Sequence, residues 1–199
     1  MKTAILITPR TQEIPEIEGD YFGVDAGSLI LMEAGIPMKM AIGDFDSMEM
    51  DKLDQIKQVT EVHIHPVMKD ETDTELAVVE CLKMGYEKIY VTGAMSGRLD
   101  HTYANLVLLE KYPEMILIDE FQRAACLKKG TYTIKKLYKH VSFFARELSE
   151  ISLKGFLWPL DHVILYPDDI YAVSNSIEDD YGNVEIHSGS VLCIQSNYK

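Results

Sequence analysis

The chain has 199 residues, 47% of them hydrophobic, and a formal charge of −13. That length makes one large domain or two small ones with a real buried core, and so acidic a surface repels polyphosphate backbones, so nucleic acid is not an expected partner. No apolar run reaches about 18 residues and Met1–Thr8 is too short for a signal peptide, so the expectation is no membrane span and a cytoplasmic protein.

Lys2–Thr8 and Tyr21–Val24 read as strands, and Ser28–Ala34 as a helix stopped by Gly35 and Pro37. Met38–Ile42 is a strand that runs directly into Gly43-Asp44-Phe45-Asp46-Ser47. Glu49–Lys57 is a polar helix and Val62–His65 a short strand. Thr72 and Glu75 have capping-box spacing, so a helix is predicted from there to about Met84, with Gly85 as its stop. Lys88–Thr92 is a β-branched strand entering a glycine-containing loop, His101–Lys111 a helix, and Met115–Ile118 a last buried strand. This βαβα order implies a mostly parallel sheet covered by helices, with ligands outside the carboxyl ends of the strands.

After about Phe121 short alternating runs take over: Thr131–Ile134, Val141–Arg146, Val163–Tyr166, Val184–His187 and Val191–Gln195. Turn residues separate them at Lys129-Gly130, Pro167-Asp168-Asp169, Tyr181-Gly182-Asn183 and Ser188-Gly189. The predicted class is therefore α/β: a mostly parallel α/β nucleotide-binding domain over residues 1–122, then a smaller antiparallel β-sandwich over 123–199. Cys81, Cys126 and Cys193 lie far apart and read as reduced, buried thiols without a role.

Three acidic clusters fall at or after predicted strand ends: Asp44 with Asp46, then Asp70-Glu71-Thr72-Asp73, then Gly97-Arg98-Leu99-Asp100-His101. Crowded carboxylates repel, and packing alone gives no reason to gather them. A hard cation such as Mg²⁺ does, because it takes oxygen ligands and holds to few protein carboxylates, leaving room for substrate phosphates. Each cluster also has a plainer reading. Asp46 or Ser47 could cap the next helix, Asp73 could answer the dipole of the third helix, and Asp100 could cap the fourth with Arg98 as its surface partner. The third cluster is the most specific, because Gly93, Ala94 and Gly97 let backbone N–H groups approach an anion while Arg98 offers a fork of donors. Together the clusters point to metal-dependent phosphate transfer. Neither a G-x-x-x-x-G-K-[ST] loop nor a G-x-G-x-x-G after a strand is present, which argues against P-loop enzymes and ordinary dinucleotide binding. His63 and His65 alternate on a strand but have no partner pair, and read as surface or interface residues.

The motifs Val24-Asp25-Ala26-Gly27, Ile42 to Ser47, Asp70 to Glu75 and Gly93 to His101, with Asn105 beyond, resemble the thiamine pyrophosphokinase family, as do Leu153 to Leu160 and Ser174-Asn175. The resemblance covers nearly the whole chain. It implies transfer of a diphosphate from ATP, as co-substrate, to the hydroxyl of thiamine, with Mg²⁺ as cofactor. It also implies a homodimer with its sites at the subunit interface. On that basis Asp25, Gly27, Asp44, Gly93, Gly97, Arg98 and His101 are expected to bind nucleotide. Asp44, Asp46, Asp70, Asp73 and Asp100 are expected to bind Mg²⁺, and Asp73, Arg98 and Asp100 to be catalytic, with Asp100 as metal ligand or proton acceptor. Trp158 is expected to face the thiazolium cation, and Ser174 and Asn175 the pyrimidine. In two places the chain has Ala26 and Ser96 where the family usually has glycine, which bears on how closely backbone approaches phosphate. The alternatives are a pyrophosphokinase for another hydroxymethyl heterocycle, such as a pterin, or a non-catalytic nucleotide or thiamine sensor.

Overall fold

Strand β1 (Thr3–Ile7) is apolar from Ala4 onward, and Ala4 to Ile7 are fully buried, as expected of a strand covered on both faces. β2 (Asp20–Val24) and β5 (Lys88–Thr92) flank it, both parallel. Outward from them lie β3 (Met38–Gly43) and β4 (Glu61–Ile64) on one side and β6 (Met115–Ile118) on the other, giving the parallel order β6-β5-β1-β2-β3-β4. The helices are α1 (Gly27–Glu33), α2 (Met50–Val59), α3 (Asp73–Lys83) and α4 (Leu99–Lys111). The computed structural model describes residues 1–197 and divides into two units: Met1–Leu108 with Glu114–Asp119, and Leu109–Pro113 with the chain from Glu120 onward.

The predicted capping residue is seen directly: the Glu75 N–H donates to Thr72 Oγ1 at 3.2 Å and α3 starts at the next residue. Gly85 follows the helix with φ +79, the left-handed stop. α4 begins two residues earlier than predicted, at Leu99, so Asp100 sits inside its first turn instead of capping it. The reason is local: both the Thr102 N–H and its Oγ1 donate to Arg98 O, which draws the preceding residues into the helix.

The second unit is antiparallel. β7 (Gln122–Lys135) and β11 (Tyr181–Ser196) pair along most of their length, and β8 (His140–Ala145), β9 (Ser149–Lys154) and β10 (Leu160–Leu165) complete it. The start of β11 also pairs with β9 and its end with β8, and the register shifts between Ile186 and Ser190. That bulge lets one strand serve both partners. Three predicted turns are corrected here: Lys129-Gly130, Tyr181-Gly182-Asn183 and Ser188-Gly189 all lie inside β7 or β11. Long-range ladder pairing overrides the local turn chemistry, and Gly182 is needed because an added Cβ would lie 2.4 Å from the Phe156 ring. β9 went unpredicted because Ser149 and Ser152, both buried, interrupt its apolar pattern. The core is built on Phe143, Phe156, Ile151, Leu153, Val184 and Ile186, with the two phenylalanines edge to face at 5.8 Å. The three cysteines are free and buried, and burial pushes the Cys81 and Cys193 thiols up to about 12.

Candidate active site

In the first unit the chain runs from β1 outward to β4, then crosses back to place β5 on the other side of β1. Loops leaving the carboxyl ends of β1 and β5 therefore diverge and leave a crevice at the switch point. A cavity of about 670 Å³ lies there, within the range of small-molecule sites. It is lined by Thr8 to Arg10 after β1, Asp25 after β2, Asp44 and Asp46 after β3, Asp73 of α3, and the 93–105 stretch through Gly93, Arg98, His101 and Asn105.

Local backbone geometry aims these groups. Asp25 and Phe45 both have positive φ, +47 and +54, an unusual conformation for non-glycine residues and one that clusters at functional sites. Phe45 is buried against Ala41, Leu53 and Ile56, which anchors the loop while Asp44 and Asp46 on either side of it line the cavity. Neither Asp46 nor Ser47 caps α2, whose cap position is Glu49. The plain capping reading of that cluster is thereby removed.

The carboxylates differ in state. Asp25 Oδ1 is buried without a partner among the described residues, and burial, then repulsion from Asp73, Asp44 and Asp46, raises its pKa. Burial is the largest single influence on Asp44 and works to raise it, but the Lys69 hydrogen bond, the hydrogen bonds from Asp46 and the Lys69 charge together outweigh it and the pKa is lowered. Lys69 Nζ lies 3.0 Å from Asp44 Oδ2 and 2.6 Å from Asp73 Oδ1. Among the described residues no three His, Cys, Asp or Glu groups stand close enough to form a metal cluster. The pair that does come together is Asp44 and Asp73, sharing one cationic group. An all-oxygen donor set of that kind, with the orphaned Asp25 oxygen and Asp46 beside it, fits a hard cation that keeps water and phosphate ligands.

The third cluster is more open than its sequence suggests. Arg98 donates to Asp100 through Nε at 3.1 Å and Nη2 at 2.5 Å, and both side chains are exposed. The Arg98 hydrogen bonds hold Asp100 at about 2, which makes it a weak proton acceptor while the pair is closed. Arg98, Ser96 and His101 line the cavity; Asp100 and the exposed Asp70 do not. The buried Asn105 Nδ2 donates to Ala94 O at 2.9 Å and fastens the loop. Gly93 and Gly97 have φ of +69 and +91, and a Cβ on Gly97 would lie 2.5 Å from the Arg10 guanidinium. The two departures from glycine cost the backbone nothing: Ala26 has φ −62, and Ser96 is not among the residues of positive φ. It is Gly27 that has no room, since its Cβ would sit 1.9 Å from Ile7 O.

Two groups escaped sequence reasoning. Arg10 could have been found as a cation directly after the first strand, and Lys69 as a lysine four residues before Asp73. His63 pairs with Glu61 at 3.0 Å, and the His65 N–H donates to Gly43 O.

Trp158, Ser174 and Asn175 line a different cavity of about 340 Å³, in the second unit, together with Leu160, Tyr171, Ala172 and Val173. Asn175 is buried and its carboxamide is engaged by the loop: Oδ1 accepts from the Trp158 and Ser176 N–H groups, and Nδ2 donates to Trp158 O. Ser174 adopts φ +60 and its N–H donates to Ser142 Oγ. Trp158 stays 58% exposed, its indole free to meet a ligand.

A parallel α/β sheet with a cavity at its switch point, lined by carboxylates, two arginines and the positive-φ Gly93, defines an α/β protein of the phosphate-handling class. A family model described as thiamin pyrophosphokinase, catalytic domain, matches residues 21–118. The chain is 30% identical over 185 residues to the thiamine pyrophosphokinase of Bacillus subtilis strain 168, covering 88% of this chain and 86% of that protein. It is also similar to a thiamin pyrophosphokinase family protein from Enterococcus faecalis, with TM-score 0.88, 26% identity and 100% of both chains covered. The thiamin pyrophosphokinase of Geobacillus thermodenitrificans gives TM-score 0.85 and 27% identity, covering 100% of this chain and 99% of that one. The chain belongs to the thiamine pyrophosphokinase family.

Proposed function

We propose that this protein is an enzyme that transfers a diphosphate group from ATP to the hydroxyl of thiamine. The alcohol oxygen bonds to the β-phosphorus, the bond from that phosphorus to the oxygen it shares with the α-phosphate breaks, AMP leaves carrying that oxygen, and the alcohol proton is released as thiamine diphosphate forms. Family membership supports the reaction. The observation that carries it to particular residues is the convergence of Asp25, Asp44, Asp46 and Asp73 with Arg10 and Arg98 on one cavity.

In this reading residues 1–122 form the nucleotide-binding domain and residues 123–199 the β-sandwich domain that takes thiamine. Asp44, Asp46 and Asp73, with Asp25, would hold Mg²⁺, which when bound neutralises phosphate charge. Asp100 joins them only when its Arg98 pair opens, and Asp70, outside the cavity, is left out of the set. Arg10, Arg98 and His101 bind phosphate oxygens, and the arginines stabilise charge as the transferred group passes between oxygens. Gly93 and Gly97 let the backbone approach the nucleotide. Trp158 offers its face to the thiazolium cation, Ser174 lies beside it, and Asn175 holds the Trp158 loop in place. The proposed assembly is a homodimer with its sites at the subunit interface, and the proposed location is the cytoplasm. Among the described residues no helix is long and apolar enough to cross a membrane.

The test is product analysis with ATP, Mg²⁺ and thiamine or a hydroxymethyl pterin. Equal amounts of AMP and thiamine diphosphate are expected, abolished by EDTA and absent with the pterin. Release of ADP, or AMP formation that ignores thiamine, would reject the reaction.

A further inference from the structure

Lys69 is a cation that pairs directly with two carboxylates of the acidic pocket, Asp44 and Asp73. It sits in the loop between β4 and α3, and its side chain is only 10% exposed, less than either partner: 13% for Asp44 and 29% for Asp73. Both carboxylates line the cavity, whereas Lys69 does not. The ammonium therefore engages one oxygen of each aspartate from behind, Oδ2 of Asp44 and Oδ1 of Asp73. The second oxygen of each aspartate is left to other donors; for Asp44 this is Oδ1, which accepts from the Asp46 N–H at 3.4 Å.

The charge balance shows what this bridge does. Asp25, Asp44, Asp46 and Asp73 all line the one cavity, and Lys69 bridges two of them. A fully solvated surface pair would contribute little, but this one is partly buried, and removing the ammonium leaves two neighbouring carboxylates without their shared partner. We propose that Lys69 is a positioning residue, an internal counter-cation that holds Asp44 and Asp73 together in the empty pocket and keeps affinity for free divalent cation low, so that the cation enters with its nucleotide. This rests on the assignment of Asp44 and Asp73 as Mg²⁺ carriers.

Linkage makes the idea testable. Whatever destabilises the metal-free protein and is relieved by a cation raises the affinity for that cation by the same factor. Lys69→Met removes the ammonium and keeps the stem. With EDTA present its Tm should fall below wild type, and saturating Mn²⁺ should close most of the gap. Mn²⁺ binding without nucleotide, read by electron paramagnetic resonance, should tighten by at least about tenfold. Lys69→Gln, which can still bridge by hydrogen bonds, should move the same way by less, and serves alone if the methionine variant does not fold. Equal Tm losses with and without Mn²⁺, with unchanged affinity, would make Lys69 an ordinary ion pair and overturn the proposal. Weaker Mn²⁺ binding would overturn it too, since the lysine would then only shape the ligands. Wild type titrated with Mn²⁺ and a non-hydrolysable ATP analogue tests the underlying assignment separately. Absence of binding there removes the metal site itself, whereas binding there with an unresponsive Lys69→Met removes only the role of the lysine.

Discussion

Replacing Gly97 with alanine imposes two separable strains. Gly97 has φ +91, and an added Cβ would fall 2.5 Å from Cζ and Nη1 of Arg10. A left-handed backbone costs a non-glycine residue on the order of 1–3 kcal/mol. The clash is with the far end of a flexible side chain, so Arg10 swings away and the collision adds little to the stability loss. What moves, however, is a guanidinium lining the cavity. Losing a hydrogen bond to a charged group is worth roughly 1.5–3 kcal/mol, or roughly 10- to 150-fold in ATP affinity. Gly85→Ala is the internal control, because Gly85 has φ +79 and nothing within 4 Å of the position its Cβ would take. Thermal unfolding of both variants should show similar losses. Initial rates of AMP release against ATP, at saturating thiamine and Mg²⁺, should show a raised ATP KM in Gly97→Ala alone. An ATP KM within about twofold of wild type would refute the phosphate role given to Arg10.

Trp158→Ala should raise the KM for thiamine and leave the KM for ATP and the Tm nearly unchanged, because the residue is 58% exposed. Asn175→Ala should also raise the thiamine KM, but with a stability loss of roughly 1–3 kcal/mol by denaturant titration, since it removes the clamp on the Trp158 backbone. Equal stability of the two variants would contradict that division of labour. In the second unit His162 Nδ1 lies 2.7 Å from Glu150 Oε1, and this hydrogen bond raises the His162 pKa. A raised histidine contributes stability that is full below its unfolded pKa of about 6.5 and fades as pH rises through the folded value. Tm should therefore decline slightly from pH ~6 to ~8 in wild type and less in Glu150→Gln; parallel pH profiles would count against it.

Much of the first unit was legible because its signals are local. Continuous apolar runs mark β1, β5 and β6, Thr72 and Gly85 mark the ends of α3, and Asp44 and Asp46 stand directly after a strand whose end must open toward ligand. The second unit was less legible. The turn signals at Gly130, Gly182 and Gly189 are real in local terms but lose to the β7–β11 ladder, and the serines of β9 hide a buried strand.

The order of residues by itself determined the strands and helices of the first unit and which end of its sheet receives the acidic loops. Only the tertiary structure decided which carboxylates meet. Asp25, Asp44, Asp46 and Asp73 line one cavity, Asp100 turns outward to Arg98, and Lys69 and Arg10 enter the neighbourhood of the site from stretches that carry no motif. The physical reason is that periodicity and capping act over a few residues. The distances between charges arise from loops separated in the chain, and only sheet order and packing set them.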